Sequence, residues 1–234
     1  MQNHLLQILT ILAMEPPQSL QDSQAIIDEK VKVLEAIPVL TPADVLLGQY
    51  AASKDGSKEA YAAEKGVPPD SKTPTYAVAR FQIKNQRWEG IPFILSCGKG
   101  MDEALVEIRV LFKSVGSTPP NQLVVRVQPD ESVVYHMNVK QAGLSDETVS
   151  VPVPLSIKQY FPAVKIPDAY EALIKDVLDA NKKDFVRGDE LLVSWKLFEK
   201  IWSVRDIELY TFGTSGPLGV EAFLERVEGV GAKL

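Results

Sequence analysis

The sequence contains a single cysteine, Cys97, among 234 residues. No intrachain disulfide is therefore possible, which fits a protein of a reducing compartment. Positively charged residues are also few: the sequence has 25 lysines and arginines but 31 aspartates and glutamates, which gives a formal net charge of -6. An acidic chain lacks the electrostatic surface that attracts phosphate backbones, so we expect no nucleic-acid partner.

Motifs for metal binding and for common catalytic sites are missing as well. The two histidines, His4 and His136, lie far apart and have no cysteine or carboxylate at ligand spacing. We expect His4 to be a core histidine, because it opens an apolar helix. No GxSxG, GxGxxG or GxxxxGK(S/T) segment occurs. The sequence therefore predicts neither a hydrolase nucleophile nor either common phosphate-binding loop.

No hydrophobic run is long enough to cross a bilayer, so we expect no membrane association. The apolar N-terminal stretch MQNHLLQILTILAMEPPQ lacks the cationic start and small-residue cleavage site of a signal peptide, and it lacks an Arg-rich transit character. It predicts a buried helix that stops at Pro16 and Pro17. We expect a cytoplasmic protein, or a plastid protein if a further N-terminal segment precedes this sequence.

The hydrophobic pattern predicts an α+β fold with one large, mostly antiparallel β-sheet and helices packed on one face. Helical spacing occurs in the second predicted helix, where Ile27, Val31 and Leu34 share a face. Alternation of period two begins near Thr75 and continues to about Leu155. The predicted strands are PADVLLGQY, TYAVARFQIK, PFILSC, ALVEIRVLF, QLVVRVQ and VVYHMNVK. Turn signals between most of these runs favour antiparallel pairing.

Three helices are predicted to close the chain, in PDAYEALIKDVLDA, RGDELLVSWKLFEKIW and GPLGVEAFLERVEG. The middle one carries an apolar stripe of Leu191, Trp195, Phe198 and Trp202, which we expect to face the core. Helices, then strands, then helices is the order typical of an α+β domain.

Three cations stand out, and each allows two interpretations. Lys99 lies between glycines in CGKG, which suits either a solvated hairpin turn or a point charge aimed at an anionic ligand. Arg109 and Arg126 lie within predicted strands. They either pair across strands with Glu107 or Glu131, or form a cationic patch on the open face of the sheet.

A family resemblance rests on eight strings in fixed order: MQNHLLQ, DEKVKVL, LLGQY, RWEGIPFIL, CGKG with EIRV, LVVRVQPDE, IPDAYEALI and FVRGDEL. Together they resemble the C-terminal domain of glucose-6-phosphate dehydrogenase over nearly the whole chain, residues 1–234. The resemblance implies a large antiparallel sheet with helices on one side and a dimer interface on the other. It also implies oxidation of C1 of glucose 6-phosphate, with hydride passing to NADP and 6-phosphogluconolactone as product, in the oxidative pentose phosphate pathway.

Two substrate-binding residues follow from the resemblance. Lys99 matches the family lysine of CGK that contacts the substrate, and Gln128 in VRVQP matches a glutamine that also contacts it. A basic residue normally follows a few positions after the lysine, and here that position is Ala104. The loss of a cation at a phosphate removes a charge-assisted hydrogen bond, on the order of 1.5–3 kcal/mol.

The resemblance also bears on a second, structural NADP that some family members hold. Arg109 and Arg126 match two of its cationic contacts and are the candidate cofactor-binding residues. Ser96, Leu105 and Ser215 stand where the family pattern has arginine or lysine, and the aromatic-bearing tail is missing after Leu234. These departures argue against a structural NADP here.

The resemblance places the dinucleotide fold, the catalytic histidine and its orienting aspartate before Met1, so we expect these residues alone to be inactive. The main interpretation is the substrate and dimerisation half of an NADP-dependent dehydrogenase, with glucose 6-phosphate as ligand. The alternative is a non-catalytic interaction protein that forms homo-oligomers or pairs with a full-length subunit. A generic ligand-binding α+β domain is the third interpretation.

Overall fold

A computed structural model describes residues 1–116, 118–164, 167–201, 204 and 206–228. The chain forms two compact units, one from Met1–Asp102 with the described residues from Asp168 onward, and one from Glu103–Pro167. The helices are α1 (His4–Ala13), α2 (Ser23–Glu35), α3 (Ile157–Tyr160), α4 (Ala169–Leu178), α5 (Gly188–Leu197) and α6 (Val220–Glu228). The strands are β1 (Val45–Ala51), β2 (Tyr76–Gln82), β3 (Pro92–Gly98), β4 (Val106–Leu111), β5 (Gln122–Gln128), β6 (Ser132–Lys140), β7 (Thr148–Ser156) and β8 (Ile207–Thr211).

The α+β class and the mostly antiparallel pairing are confirmed, but the strands divide differently from the predicted single sheet. Within the described residues they form two four-stranded sheets, in the orders β3-β2-β1-β8 and β4-β5-β6-β7. Strand β8, where no strand was predicted, runs parallel to β1 and pairs Tyr210 with Tyr50. A five-residue strand carries too little alternation to be recognised against its helical surroundings.

The first sheet is packed on both faces, whereas the sequence predicts helices on one. Alternate residues of β2 point to opposite faces. Ala79 and Phe81 belong to a core with residues of α1, α2 and α5. Tyr76 and Val78 belong to a second core, which includes Phe223 of α6.

Helix α2 forms as its sequence predicts. Asp22 caps its N-terminus by accepting hydrogen bonds from the backbone N–H groups of Gln24 and Ala25. The predicted face of Ile27, Val31 and Leu34 is buried. His4, in contrast, is exposed at the first turn of α1, so its prediction as a core histidine is wrong.

Helix α5 presents a different face to the core from the predicted one. Its buried residues are Glu190, Ser194 and Leu197. Of the predicted stripe, Phe198 is buried, but the side chains of Leu191 and Trp195 are about half exposed. Trp202 lies outside the described residues.

The second unit is a single antiparallel layer with no buried core of its own. None of the residues of strands β4, β5, β6 and β7 is buried. Register places hydrophobic side chains of all four strands on one side. This apolar face of the second sheet consists of Ile108, Val110, Leu123, Val125, Val133, Tyr135, Met137, Val139, Val149, Val151, Val153 and Leu155.

No helix in the described part of the chain combines the length and apolar character needed to span a membrane. The same residues include no group of three or more histidine, cysteine, aspartate or glutamate side chains that could hold a metal ion.

Candidate functional site

The Lys99 turn follows directly from β3 in the first unit and is held by backbone hydrogen bonds. The Lys99 N–H donates to the carbonyl oxygen of Thr75 at 2.8 Å. The Gly213 N–H donates to the carbonyl oxygen of Gly100 at 2.7 Å. These bonds tie the turn to the start of β2 on one side and to the loop after β8 on the other.

Glycine is required at position 100 of this turn. Gly100 has a φ of 62°, a left-handed conformation that L side chains seldom adopt. A Cβ atom there would also lie 2.5 Å from Cδ2 of Phe212, so the ring closes against the bare backbone. The sequence CGKG thus folds as a tight turn packed on an aromatic side chain.

Aromatic residues pack against the turn, with Tyr210 bonded to Lys99 and Phe212 next to Gly100. Tyr210 makes edge-to-face contacts with Tyr76 and Tyr50, with ring centroids 5.8 and 6.4 Å apart. Tyr50 also meets Phe212 edge to face at 5.4 Å. Burial raises the pKa of Tyr76 and of Tyr210. Burial, together with a hydrogen bond to Glu64, raises the pKa of Tyr50 to about 12.

The Lys99 side chain itself is exposed. Among the described residues its ammonium group makes no ion pair or hydrogen bond. An exposed ammonium group on a rigid, glycine-flanked turn can bind an anionic oxygen without first breaking an internal ion pair. The geometry therefore suits a site for a phosphate or carboxylate ligand.

Gln128, the second predicted substrate residue, lies in the second unit. It is the last residue of β5 and is exposed. A cis peptide bond joins it to Pro129, and Asp130 follows with a φ of 57°. The strand end and the turn after it place the Gln128 amide at the rim of the sheet, where it can donate and accept hydrogen bonds.

Arg109 and Arg126 are brought together by Glu107. The Glu107 carboxylate forms ion pairs with both guanidinium groups, the one to Arg126 at 3.3 Å. Glu107 is 8% exposed, whereas the arginines are 42% and 39% exposed. The predicted cross-strand pairing with Glu107 is thus confirmed for Arg126 on β5, whereas Arg109 pairs with Glu107 within the same strand, β4. The Glu107 carboxylate therefore neutralises part of the positive charge that these two arginines could offer to the phosphate of a dinucleotide.

The positions that depart from the family pattern carry no charge. The Ser96 hydroxyl donates to the Tyr76 oxygen at 2.9 Å. Ser215 is exposed in the loop after β8, next to Thr214, whose carbonyl accepts from Asp102 N–H at 3.1 Å. Ala104 and Leu105 precede β4 in the second unit.

Thr75, Tyr210 and Phe212 are site residues that sequence reasoning missed. Tyr210 lies 111 positions from Lys99, whose carbonyl oxygen it contacts. No local spacing connects the two, and β8 itself was not predicted. The aromatic residues in LYTF were the available signal, and they are equally typical of an ordinary core strand.

The chain is similar to known proteins over almost its whole length. The family model described as glucose-6-phosphate dehydrogenase, C-terminal domain, matches residues 1–230. Glucose-6-phosphate 1-dehydrogenase of Emericella nidulans is 46% identical over 234 residues, covering 95% of this chain and 46% of that protein. The enzyme of the same name from Saccharomyces cerevisiae is 44% identical over 239 residues, covering 97% of this chain and 47% of that protein.

Two solved structures extend the comparison. One, described as glucose-6-phosphate dehydrogenase in complex with its substrate glucose-6-phosphate, has a TM-score of 0.90 and 40% identity, with 100% of this chain and 50% of that chain covered. The other, glucose-6-phosphate 1-dehydrogenase from Mycobacterium avium, has a TM-score of 0.81 and 29% identity, with 95% and 47% covered. The chain therefore spans about half the length of the relatives it matches.

Proposed function

This chain belongs to the family of glucose-6-phosphate dehydrogenase C-terminal domains, and we propose that it forms the substrate-binding and dimerisation half of such an enzyme. The reaction is oxidation of glucose 6-phosphate to 6-phosphogluconolactone with NADP. The observation that carries the proposal is the Lys99 turn, which is held by backbone hydrogen bonds and presents an ammonium group that has no partner in the described part of the chain. The relatives named above are dehydrogenases, which favours this function over a non-catalytic interaction protein.

In this reaction the residues of the chain bind and orient the sugar phosphate. The Lys99 ammonium group supplies a positive charge for the anionic end of the substrate, where charge-assisted hydrogen bonds are strong. Gln128 stays a prediction from the family resemblance, and its amide has a donor and an acceptor of the kind that sugar hydroxyl groups need. NADP accepts the hydride from C1 when it is bound, and a general base takes the C1 hydroxyl proton. We assign neither role to the residues described here.

A second, structural NADP does not fit at Arg109 and Arg126. Both guanidinium groups already engage Glu107, and a phosphate placed there would have to displace a largely buried carboxylate. Ser96 and Ser215 add no charge to replace the family's cations. We therefore propose that the Arg126–Glu107 pair links neighbouring strands β4 and β5, as an opposite-charge cross-strand pair does, and that Arg109 holds the Glu107 carboxylate from within β4.

Self-association is the second part of the proposal. The apolar face of the second sheet stays open to solvent, with Val149, Val151, Val153 and Leu155 each 39–49% exposed. A contiguous apolar surface of this kind is typical of an interaction site. Because a two-fold axis lets one apolar sheet face pack on its own copy, a second copy of this chain, or of a full-length subunit, is the partner that matches it.

The test is ligand-induced thermal stabilisation of the purified chain. We expect glucose 6-phosphate to raise the Tm, whereas glucose, which has no phosphate, does not. Lys99→Ala should abolish the rise, because it removes a charge-assisted bond of about 1.5–3 kcal/mol. Lys58→Ala is the matched control, since Lys58 is an exposed lysine of another loop in the same unit.

Two outcomes contradict the proposal. If the Lys99→Ala variant keeps the full thermal shift, the turn is not the phosphate site. If the wild-type chain shows no shift at millimolar glucose 6-phosphate, substrate binding by these residues is wrong.

A further inference from the structure

We propose that Tyr210 is a positioning residue for Lys99, and this inference rests on the function proposed above. Its phenolic hydroxyl holds the main-chain carbonyl of Lys99 and so fixes the conformation in which the turn presents the ammonium group. Tyr210 itself is 4% exposed and acts on the ligand only through the turn.

The contact between Tyr210 and Lys99 is short and partly buried. The Tyr210 hydroxyl donates to the Lys99 carbonyl oxygen at 2.6 Å. On the other side of the same residue, the Lys99 N–H donates to the Thr75 carbonyl oxygen at 2.8 Å. Lys99 is therefore held at both of its main-chain polar groups, and both anchors are buried, with Thr75 7% exposed.

The hydroxyl belongs to a directed chain of hydrogen bonds. The Tyr50 N–H donates to Oγ1 of Thr75 at 2.9 Å. That hydroxyl lies 2.9 Å from the Tyr210 oxygen and retains one proton to donate to it. Tyr210 in turn directs its own proton to the Lys99 carbonyl oxygen at 2.6 Å, and the Thr75 carbonyl oxygen is a second, weaker acceptor at 3.3 Å. Consecutive bonds of this kind polarise one another, so the last one is stronger than an isolated hydroxyl–carbonyl bond.

The ring of Tyr210 and its hydroxyl have separable roles. The ring packs against Tyr50 and Tyr76 within the second core of the first unit. Tyr210→Phe keeps that packing and removes the oxygen alone. The Lys99 carbonyl then loses its partner, and the turn opens more often because one of its two main-chain anchors is gone.

Tyr50→Phe provides the matched control. It also removes one hydroxyl from the same aromatic cluster, but that hydroxyl donates to the Glu64 carboxylate at 2.5 Å and not to the turn. The Tyr50 main chain, which begins the hydrogen-bond chain, is unchanged by the substitution. Any difference between the two variants therefore reports on the turn and not on general loosening of the cluster.

The first experiment measures opening of the turn without any ligand. Limited digestion with a lysine-specific protease, quantified by mass spectrometry, gives the rate of cleavage between Lys99 and Gly100. We expect Tyr210→Phe to raise this rate about three- to tenfold over wild type. Tyr50→Phe should leave it within about twofold. Equal rates for Tyr210→Phe and Tyr50→Phe overturn the proposal.

The second experiment measures the Kd for glucose 6-phosphate by calorimetric titration. We expect Tyr210→Phe to weaken binding about three- to tenfold and Tyr50→Phe to leave it unchanged. If Lys99→Ala abolishes binding while Tyr210→Phe matches Tyr50→Phe, the positioning role is wrong and the proposed function stands. If Lys99→Ala leaves binding intact, the proposed function fails first and the positioning role fails with it.

Discussion

Three tyrosines of the first unit hold their phenolic protons more tightly than a free tyrosine does. Burial raises the pKa of Tyr50, Tyr76 and Tyr210, and for Tyr50 the value reaches about 12 against an ordinary value of 10.0. In the unfolded chain all three would ionise near the ordinary value. The folded state therefore binds their protons better than the unfolded state, and the difference links stability to alkaline pH.

This linkage predicts how the free energy of unfolding changes at high pH. The contribution of Tyr50 is complete below pH 10 and is lost as the pH rises towards about 12. Denaturant unfolding curves between pH 9 and pH 12 should show a falling free energy of unfolding, and Tyr50→Phe should make that fall less steep. Absorbance titration of tyrosinate checks the same groups directly. A slope identical in wild type and variant would contradict the assignment.

At the scale of single elements, helix α5 buries an ionic side chain and leaves part of its predicted apolar face exposed. Glu190 is fully buried, lies 3.3 Å from the Lys30 ammonium group and accepts a hydrogen bond from Gln7 at 2.6 Å. Lys30 in turn donates to Gln7 at 3.0 Å. This group links α1, α2 and α5. Removing one partner of a buried pair typically costs about 3–5 kcal/mol, because the other charge is left uncompensated.

The outer strand β7 contains two prolines that limit pairing at its outer edge. Pro152 and Pro154 pair in register with His136 and Val134. Proline has no N–H, so these residues occupy the positions whose main-chain groups point away from β6. Within the described residues β7 is the last strand of this sheet, and its outer edge therefore lacks two donors that another strand would need.

We predict that the double substitution Pro152→Thr and Pro154→Thr opens this edge. Both new residues supply an outward N–H and favour extended structure. The variant should form higher oligomers or aggregates as its concentration rises, seen by light scattering. Ser150→Thr, on the same side of the same strand, is the control. A double variant with the same mass distribution as wild type would show that the prolines do not protect the edge.

For the whole molecule, the proposed dimer depends on one face of the second sheet. Val151 lies on the apolar face, whereas its neighbour Ser150 lies on the opposite face of β7. We predict that Val151→Asp weakens self-association on the order of a hundredfold, because two-fold symmetry buries the new charge twice. Ser150→Asp adds the same charge and should leave the dimer intact. Sedimentation velocity at micromolar concentration separates these cases.

A strictly monomeric wild-type chain at those concentrations would contradict the proposed dimer. So would equal weakening by Val151→Asp and Ser150→Asp, since a general charge effect does not distinguish the two faces.

Local pattern alone determined much of this protein. Alternation located β2 to β6 within a few residues, and helical spacing assigned Ile27, Val31 and Leu34 to the core. The two glycines flanking Lys99 indicated a turn, and they left open whether its lysine is solvated or binds an anion. The ordered strings placed the chain in its family. Each of these signals is carried by residues close together in sequence, where period and turn chemistry act directly.

Tertiary structure decided what depends on distant partners. It divided the strands into two sheets, exposed His4, turned α5 so that Glu190 faces Lys30, and set Arg109 and Arg126 on Glu107. It also brought Tyr210 against the carbonyl of Lys99, from 111 positions away. Hydrogen bonds and ion pairs between distant segments leave no periodic trace in the sequence, because either partner alone looks like an ordinary surface or core residue.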